Sequence, residues 1–220
     1  MAMTEQGVAT RAALIHGLYA IADSTYLSPE NLVAQVAAAI EGGARVVQYR
    51  DKNSPPATRL ALALSLAALC RAHTVPLIIN DDVQLTLDSG AAGVHLGQND
   101  SDVHAARKRL GDDALIGVSC YNEWPRAQRA QAQDADYIAF GRFFPSRTKP
   151  QAVPAHLDLL HQARAELSLP IVAIGGITPK NGAALVAAGA HALAVIEGLW
   201  GQPDVRAAAA RYAELFNPTL

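Results

Sequence analysis

The stretch GGARVVQYRDK, residues 42–52, carries the two signals from which the fold follows. Gly43 stands where a helix would stop, and is read as a C-cap glycine with positive φ. ARVVQYR then opens on small and β-branched apolar residues and changes to an alternation. Gln48, Arg50 and Lys52 take every second position, with Tyr49 and Asp51 between them. In an extended chain, period two sends Gln48, Arg50 and Lys52 to one side. Only 17% of the chain is charged, so a glutamine and two cations on one face of a strand end imply an anion on that side.

The same grammar recurs along the chain. SGAAGVHL and AGAHALAV each place a glycine where a helix ends and a strand begins, so Gly90 and Gly189 are read like Gly43. Strands are expected at GLYAIA (from Gly17), ARVVQYR (from Ala44), VPLIIN (from Val75) and AGVHLG (from Ala92). Four more are expected at ALIGVS (from Ala114), DYIAFG (from Asp136), LPIVAIGG (from Leu169) and HALAVIEG (from His191). Helices are expected over 29–41, 55–73, 83–89, 102–110, 123–132, 154–167, 179–188 and 203–215, several with proline in the first turn. The strands are apolar enough to be covered on both faces. This alternation predicts a single α/β domain, a (β/α)8 TIM barrel over 12–220 behind a flexible tail over 1–11, with a doubly wound sheet as the lesser alternative.

Composition narrows the function classes. The chain has 220 residues, half of them hydrophobic, which suits one barrel. A formal net charge of -2 leaves no electrostatic footprint for nucleic acid. Two cysteines, Cys70 and Cys120, make neither a disulfide framework nor a C-x-x-C motif. No apolar run is long enough to span a bilayer, and the first residues lack the apolar core of a signal peptide. A cytoplasmic protein acting on small molecules is expected, and a homo-oligomer is left open.

In a barrel, chemistry sits at the C-terminal ends of the strands. Strand two ends on Gln48, Arg50 and Lys52, strand three on Asn80-Asp81-Asp82, and strand four runs into HLGQND with Asp100. Strand five ends at Ser119, strand six runs into GRFFPSRTKP, and strand seven ends GGIT. Arg50 or Lys52 pairing with Asp51 or Asp81 at the surface would be the plain structural explanation, and worth little. One of Asn80, Asp81 and Asp82 is expected to cap the next helix. Gly175-Gly176 before Thr178-Pro179 reads as a phosphate seat: glycine lets backbone come close, and the helix that follows would present N–H groups. Asp81 and Asp100, on neighbouring strand ends, could share a hard cation such as Mg2+. Arg50, Lys52 and Lys149 would surround the same polyanion. Together they suggest a metal-bound diphosphate beside a second phosphate.

The motifs GLYAIAD, QYRDK, LIINDD, GVHLGQND, IGVSC, DYIAFGRFFPSRTKP and IVAIGGIT, in this order, resemble those of thiamine-phosphate synthases over nearly the whole chain. The resemblance implies a (β/α)8 barrel that joins hydroxymethylpyrimidine diphosphate to hydroxyethylthiazole phosphate, with Mg2+ as cofactor. It implies that the Gln48-Tyr49-Arg50-Asp51-Lys52 stretch, Asn80, Ser119 and Lys149 bind the pyrimidine diphosphate, and that Asp81 and Asp100 hold the metal. It implies a thiazole-phosphate site made by Ser146, Arg147, Thr148, Gly176, Ile196 and Glu197. The family ionises a C–O bond first, and such a step wants charge stabilised on the leaving group and no strong base. The segment 146–151 is the candidate lid.

Some residues depart from the pattern. Tyr121 stands where many members have histidine, and Glu197 where many have serine, a carboxylate that would repel a phosphate. Arg142 and Arg147 add cations near it. A thiazole tautomerase of the same superfamily, a non-catalytic thiazole-phosphate sensor, and a Schiff-base aldolase on Lys52 or Lys149 are the rivals. His95 is read as a hydrogen-bonded core or rim residue, and Cys120 as a small buried thiol.

Overall fold

The structure is a computed structural model that describes residues 11–98, 100, 102–145 and 153–217. Eight parallel strands close into a barrel in sequential order, which decides against the open doubly wound sheet. They are β1 (Gly17–Asp23), β2 (Ala44–Arg50), β3 (Leu77–Asn80), β4 (Gly93–Leu96), β5 (Leu115–Tyr121), β6 (Tyr137–Gly141), β7 (Ile171–Ile174) and β8 (Ala192–Val195). Between them run α1 (Pro29–Glu41), α2 (Pro56–Ala72), α3 (Val83–Ser89), α4 (Val103–Leu110), α5 (Trp124–Ala132), α6 (Leu157–Glu166) and α7 (Pro179–Ala187). A short α8 (Glu197–Trp200) and then α9 (Val205–Ala213) follow β8. Among the described residues no helix is long and apolar enough to cross a membrane.

Alternation along the strands sorts side chains into two cores. Tyr19, Ile21, Val46, Ile78, Leu115, Tyr137 and Val172 fill the barrel interior. Leu18, Ala20, Val47, Tyr49, Ile79 and Phe140 point the other way and pack beneath the helices. Gly43, Gly90 and Gly189 all have positive φ, as their positions after helices require. Gly90 is the left-handed C-cap of α3, its N–H bonding back to Leu87 and Thr86 carbonyls.

Two helices start later than the sequence suggests. The expected helix from Pro154 begins only at Leu157, because the Ala155 N–H bonds to the Arg142 carbonyl at 2.8 Å and holds the chain extended against the β6 loop. The last helix begins at Val205, not at Pro203, because Asp204 is the better cap, its carboxylate accepting from the Ala207 N–H. Arg11, expected at the end of a tail, is tied down. Its Nε lies 2.9 Å from the buried carboxylate of Asp136, at the N-terminal end of the barrel, which Arg107 also reaches at 2.5 Å.

Candidate active site

A cavity of about 360 Å³ opens at the C-terminal ends of the strands. Its lining includes Gln48, Arg50, Asn80, Ser119, Gly176, Ile196 and Glu197, all expected site residues. The parity of β2 decides what the QYRDK stretch contributes. Val46, Gln48 and Arg50 face inward, whereas Tyr49 is turned under the helices, 2% exposed. Tyr49 donates its hydroxyl to Asp51, and the other Asp51 oxygen accepts from the N–H groups of Asn53 and Ser54. Those turn bonds hold Asp51 below the usual carboxylate range, at about 2, against the opposing effect of burial. Tyr49 and Asp51 therefore shape the loop after β2, and neither lines the cavity.

Arg50 is aimed from behind. Its guanidinium pairs with Asp23, a fully buried carboxylate at the end of β1. Asp23 also accepts from the Thr25 N–H and hydroxyl, at 2.9 and 2.6 Å. Asp23 belongs to the GLYAIAD motif, but only the structure shows that it is the register partner of Arg50 across β1 and β2. Lys52, by contrast, does make the surface pair considered from sequence, with Nζ 3.1 Å from Asp81 and its side chain 57% exposed.

The three residues at the end of β3 divide their work. Asp82 caps α3, accepting from the Leu85 N–H at 2.9 Å, and pairs with Arg59. Asn80 lines the cavity. Asp81 sits at φ 65, an uncommon conformation for a residue with a side chain. A Cβ placed on Gly97 would lie 2.8 Å from an Asp100 oxygen and 3.8 Å from an Asp81 oxygen, so both carboxyls converge over this glycine. The Gly97 N–H donates to Asp100 at 2.5 Å. Burial, then the hydrogen bond to Asp81, raises the Asp100 carboxyl; at Asp81 burial is outweighed by the bonds from Asp100 and Lys52, and the carboxyl is lowered. Of these two neighbouring like charges, Asp100 is the harder to ionise.

That arrangement suits Mg2+, which takes one or two carboxylates and completes its shell with water and substrate phosphate. Among the described residues no cluster of three or more histidine, cysteine or acidic side chains gathers for a metal.

The glycine loop after β7 differs from its reading in one respect. Gly175 and Gly176 have φ of 105 and 61, and a Cβ on either would strike the 142–145 segment, at 2.3 Å. Helix α7 is closed by its own capping box: Asn181 accepts the Thr178 N–H at 2.7 Å, and Thr178 accepts the Asn181 N–H at 3.3 Å. The N–H groups of Thr178 and Asn181 are therefore engaged, and Gly176 lines the cavity together with Ile196 and Glu197. Arg142 and Glu197 line this same cavity. Tyr121 lines it too, at φ 54, with the Arg126 guanidinium 5.6 Å from its ring centre. Ser146, Arg147, Thr148 and Lys149, and the candidate lid 146–151, lie outside the described residues.

Sequence reading missed Asp23, Tyr19, Tyr137 and Arg126. Arg126 joins two strand ends, donating to the carbonyls of Ser119 and Gly97 at 2.5 and 2.9 Å. Tyr19 and Tyr137 had a usable signal, since both fall on the inward parity of their strands. Cys120 is a buried free thiol, pushed by burial up to about 12, as its reading as a packing residue implies.

Against known proteins, the family model described as thiamine monophosphate synthase matches residues 18–199. The chain belongs to this family. It is 54% identical over 202 residues to the thiamine-phosphate synthase of Nitrosococcus oceani, covering 92% of this chain and 93% of that one. It is 47% identical over 215 residues to the thiamine-phosphate synthase of Thioalkalivibrio sulfidiphilus, covering 98% and 100%. Among solved structures, a thiamine phosphate pyrophosphorylase from Pyrococcus furiosus superposes with a TM-score of 0.83 at 32% identity, covering 94% and 98%. The strand ends that carry Gln48, Arg50, Asn80, Ser119 and Gly176 are the ends that surround the cavity.

Proposed function

We propose that this protein is a cytoplasmic thiamine-phosphate synthase. It transfers the hydroxymethylpyrimidine group from its diphosphate to the nitrogen of hydroxyethylthiazole phosphate, giving thiamine phosphate and free diphosphate. The observation that carries the reading is an arginine on the cavity wall held by a buried carboxylate, with a lysine paired to one of two converging carboxyls at the adjoining strand ends. A held arginine on the cavity wall, beside a lysine and a metal-ready pair at the adjoining strand ends, suits a diphosphate leaving group better than it suits a thiazole alone.

In the reaction the C–O bond breaks with its electron pair leaving on diphosphate, and the thiazole nitrogen lone pair forms the new C–N bond. No proton has to move. Mg2+ held by Asp81 and Asp100 would supply positive charge against the departing diphosphate. Arg50 points its remaining guanidinium donors at the same oxygens, Lys52 adds charge from the rim, and Lys149 is a further contact to the diphosphate. Gln48, Asn80 and Ser119 orient the pyrimidine side. The backbone at Gly176 and at Ile196–Glu197, with Ser146, Arg147 and Thr148, receives the thiazole phosphate. Arg142, on the same cavity wall, offsets the charge of Glu197.

The test mixes purified protein with both substrates and Mg2+ and follows thiamine phosphate, with an EDTA control. Metal-dependent product is expected. Absence of product, with thiazole phosphate still binding in calorimetry, would overturn the synthase reading in favour of a sensor or tautomerase.

A further inference from the structure

The cavity floor is crossed by one continuous chain of hydrogen bonds between side chains from different strands. Gln48 Nε2 lies 2.8 Å from Tyr19 Oη, and Tyr19 Oη 2.9 Å from Tyr137 Oη. Tyr137 Oη lies 3.0 Å from His95 Nδ1, and His95 Nε2 lies 2.9 Å from Ser119 Oγ. Tyr137 is fully buried and does not line the cavity, whereas Gln48 and Ser119 do. The path is built for the phenol: a Cβ on Gly117 would come within 2.0 Å of the Tyr137 ring, so only glycine admits it.

Counting hydrogens gives this chain a direction. A neutral imidazole has one donor and one acceptor, and each hydroxyl has one hydrogen. Burial keeps both phenols protonated. With Gln48 donating, Tyr19 donates to Tyr137, Tyr137 to His95 Nδ1, and His95 Nε2–H to Ser119. The hydrogen left over is then that of Ser119, which is only partly buried and faces the cavity. The reverse order would leave Tyr19 accepting twice and would strand its hydrogen in a side chain 1% exposed, a costly arrangement for a buried donor. Turning the Gln48 amide over would satisfy the reverse order, but Ser119 would then present a lone pair. The polarity of Ser119 and the orientation of Gln48 are thus one variable.

We propose that Tyr137 and His95 are positioning residues that lock Ser119 as a hydrogen-bond donor toward the anionic pyrimidine substrate. This rests on the synthase reading. His95 holds the Nε2–H tautomer because its other nitrogen accepts from Tyr137, the rule for ring nitrogens fixed by a neighbour's hydrogen bond. Tyr137 acts only through Ser119, so its effect must vanish when Ser119 is gone.

Two measurements test it. Long-range 15N–1H NMR on the intact protein, with His95→Gln for assignment, should show the Nε2–H tautomer in the wild type and loss of that preference in Tyr137→Phe. In steady-state kinetics Tyr137→Phe should lower kcat/KM for the pyrimidine diphosphate about tenfold and leave KM for thiazole phosphate unchanged. The double variant Tyr137→Phe/Ser119→Ala should be no slower than Ser119→Ala, the mark of one shared path. An Nδ1–H tautomer in the wild type, or losses that simply multiply, would overturn the proposal. If Tyr137→Phe does not fold, the tautomer of His95 in the wild type decides by itself: Nε2–H supports the proposal and Nδ1–H overturns it. If the wild type makes no thiamine phosphate, the synthase reading fails, while the tautomer still decides whether the chain is polarised as described.

Discussion

Asp23→Asn separates holding Arg50 in place from supplying its charge. Asp23 is fully buried and receives one bond from Arg50 and two from Thr25. The amide keeps the shape and the bonds from Thr25, but gives up the charge-assisted contact, worth about 1.5–3 kcal/mol. Arg50 is 21% exposed, so its released charge can hydrate, and the lower end of that range applies. The freed side chain must then be ordered again when substrate binds, at a cost of about 2 kcal/mol of rotamer entropy. That corresponds to about a 30-fold loss in kcat/KM for the pyrimidine diphosphate. The loss should fall mainly on KM, because the guanidinium is still present once bound. Arg50→Ala, which removes the charge itself, should instead cut kcat by orders of magnitude. Melting temperature is the control: about 1.5–2 kcal/mol lowers it by roughly 3–8 °C in a domain of this size. The assay is steady-state kinetics with each substrate varied in turn. An Asp23→Asn enzyme within twofold of wild type, or one whose loss lies in kcat with KM unchanged, would refute the claim that Asp23 preorders Arg50.

Asp136→Asn strikes the opposite end of the barrel, where one buried carboxylate accepts from Arg11, Arg107 and the Ile116 N–H. Leaving two guanidinium groups without their anion should cost about 3–5 kcal/mol and lower the melting temperature by roughly 6–20 °C, with kcat at 25 °C unchanged; a thermal melt and one rate measurement check both. Because Asp100 is raised, Mg2+ competes there with a proton as the pH falls. Affinity should therefore weaken as pH falls through the raised Asp100 pKa, and in that acid range calorimetry in two buffers of different ionisation enthalpy should show proton release on binding. Gly117→Ala drives a methyl into the Tyr137 ring, so stability should drop by about 1–3 kcal/mol together with activity, read by denaturant melts and turnover.

How much was legible from residues alone is clearest on β2. Period two sends Gln48, Arg50 and Lys52 to one side and Tyr49 to the other. The structure turns Gln48 and Arg50 into the cavity and Tyr49 beneath the helices, while Lys52, beyond the end of β2, lies exposed against Asp81. Asp82 illustrates the next level. The residues Asn80, Asp81 and Asp82 announced a helix cap, but only the geometry shows which of them turns back to the Leu85 N–H and leaves Asp81 to face Asp100.

Local chemistry determined the strand and helix order, the positive-φ glycines after helices, and the end of the barrel where polar side chains gather. These depend on sterics and hydrophobic period within a few residues, and such signals are written into the chain itself. The tertiary structure alone decided that Asp23 holds Arg50, that Lys52 meets Asp81, and that Gln48 is wired to Ser119 through Tyr19, Tyr137 and His95. Those contacts join residues distant in sequence, and they exist because closing eight twisted strands brings inward side chains of separate strands to one floor. Alternation fixes which way a side chain points, and barrel closure fixes what it meets.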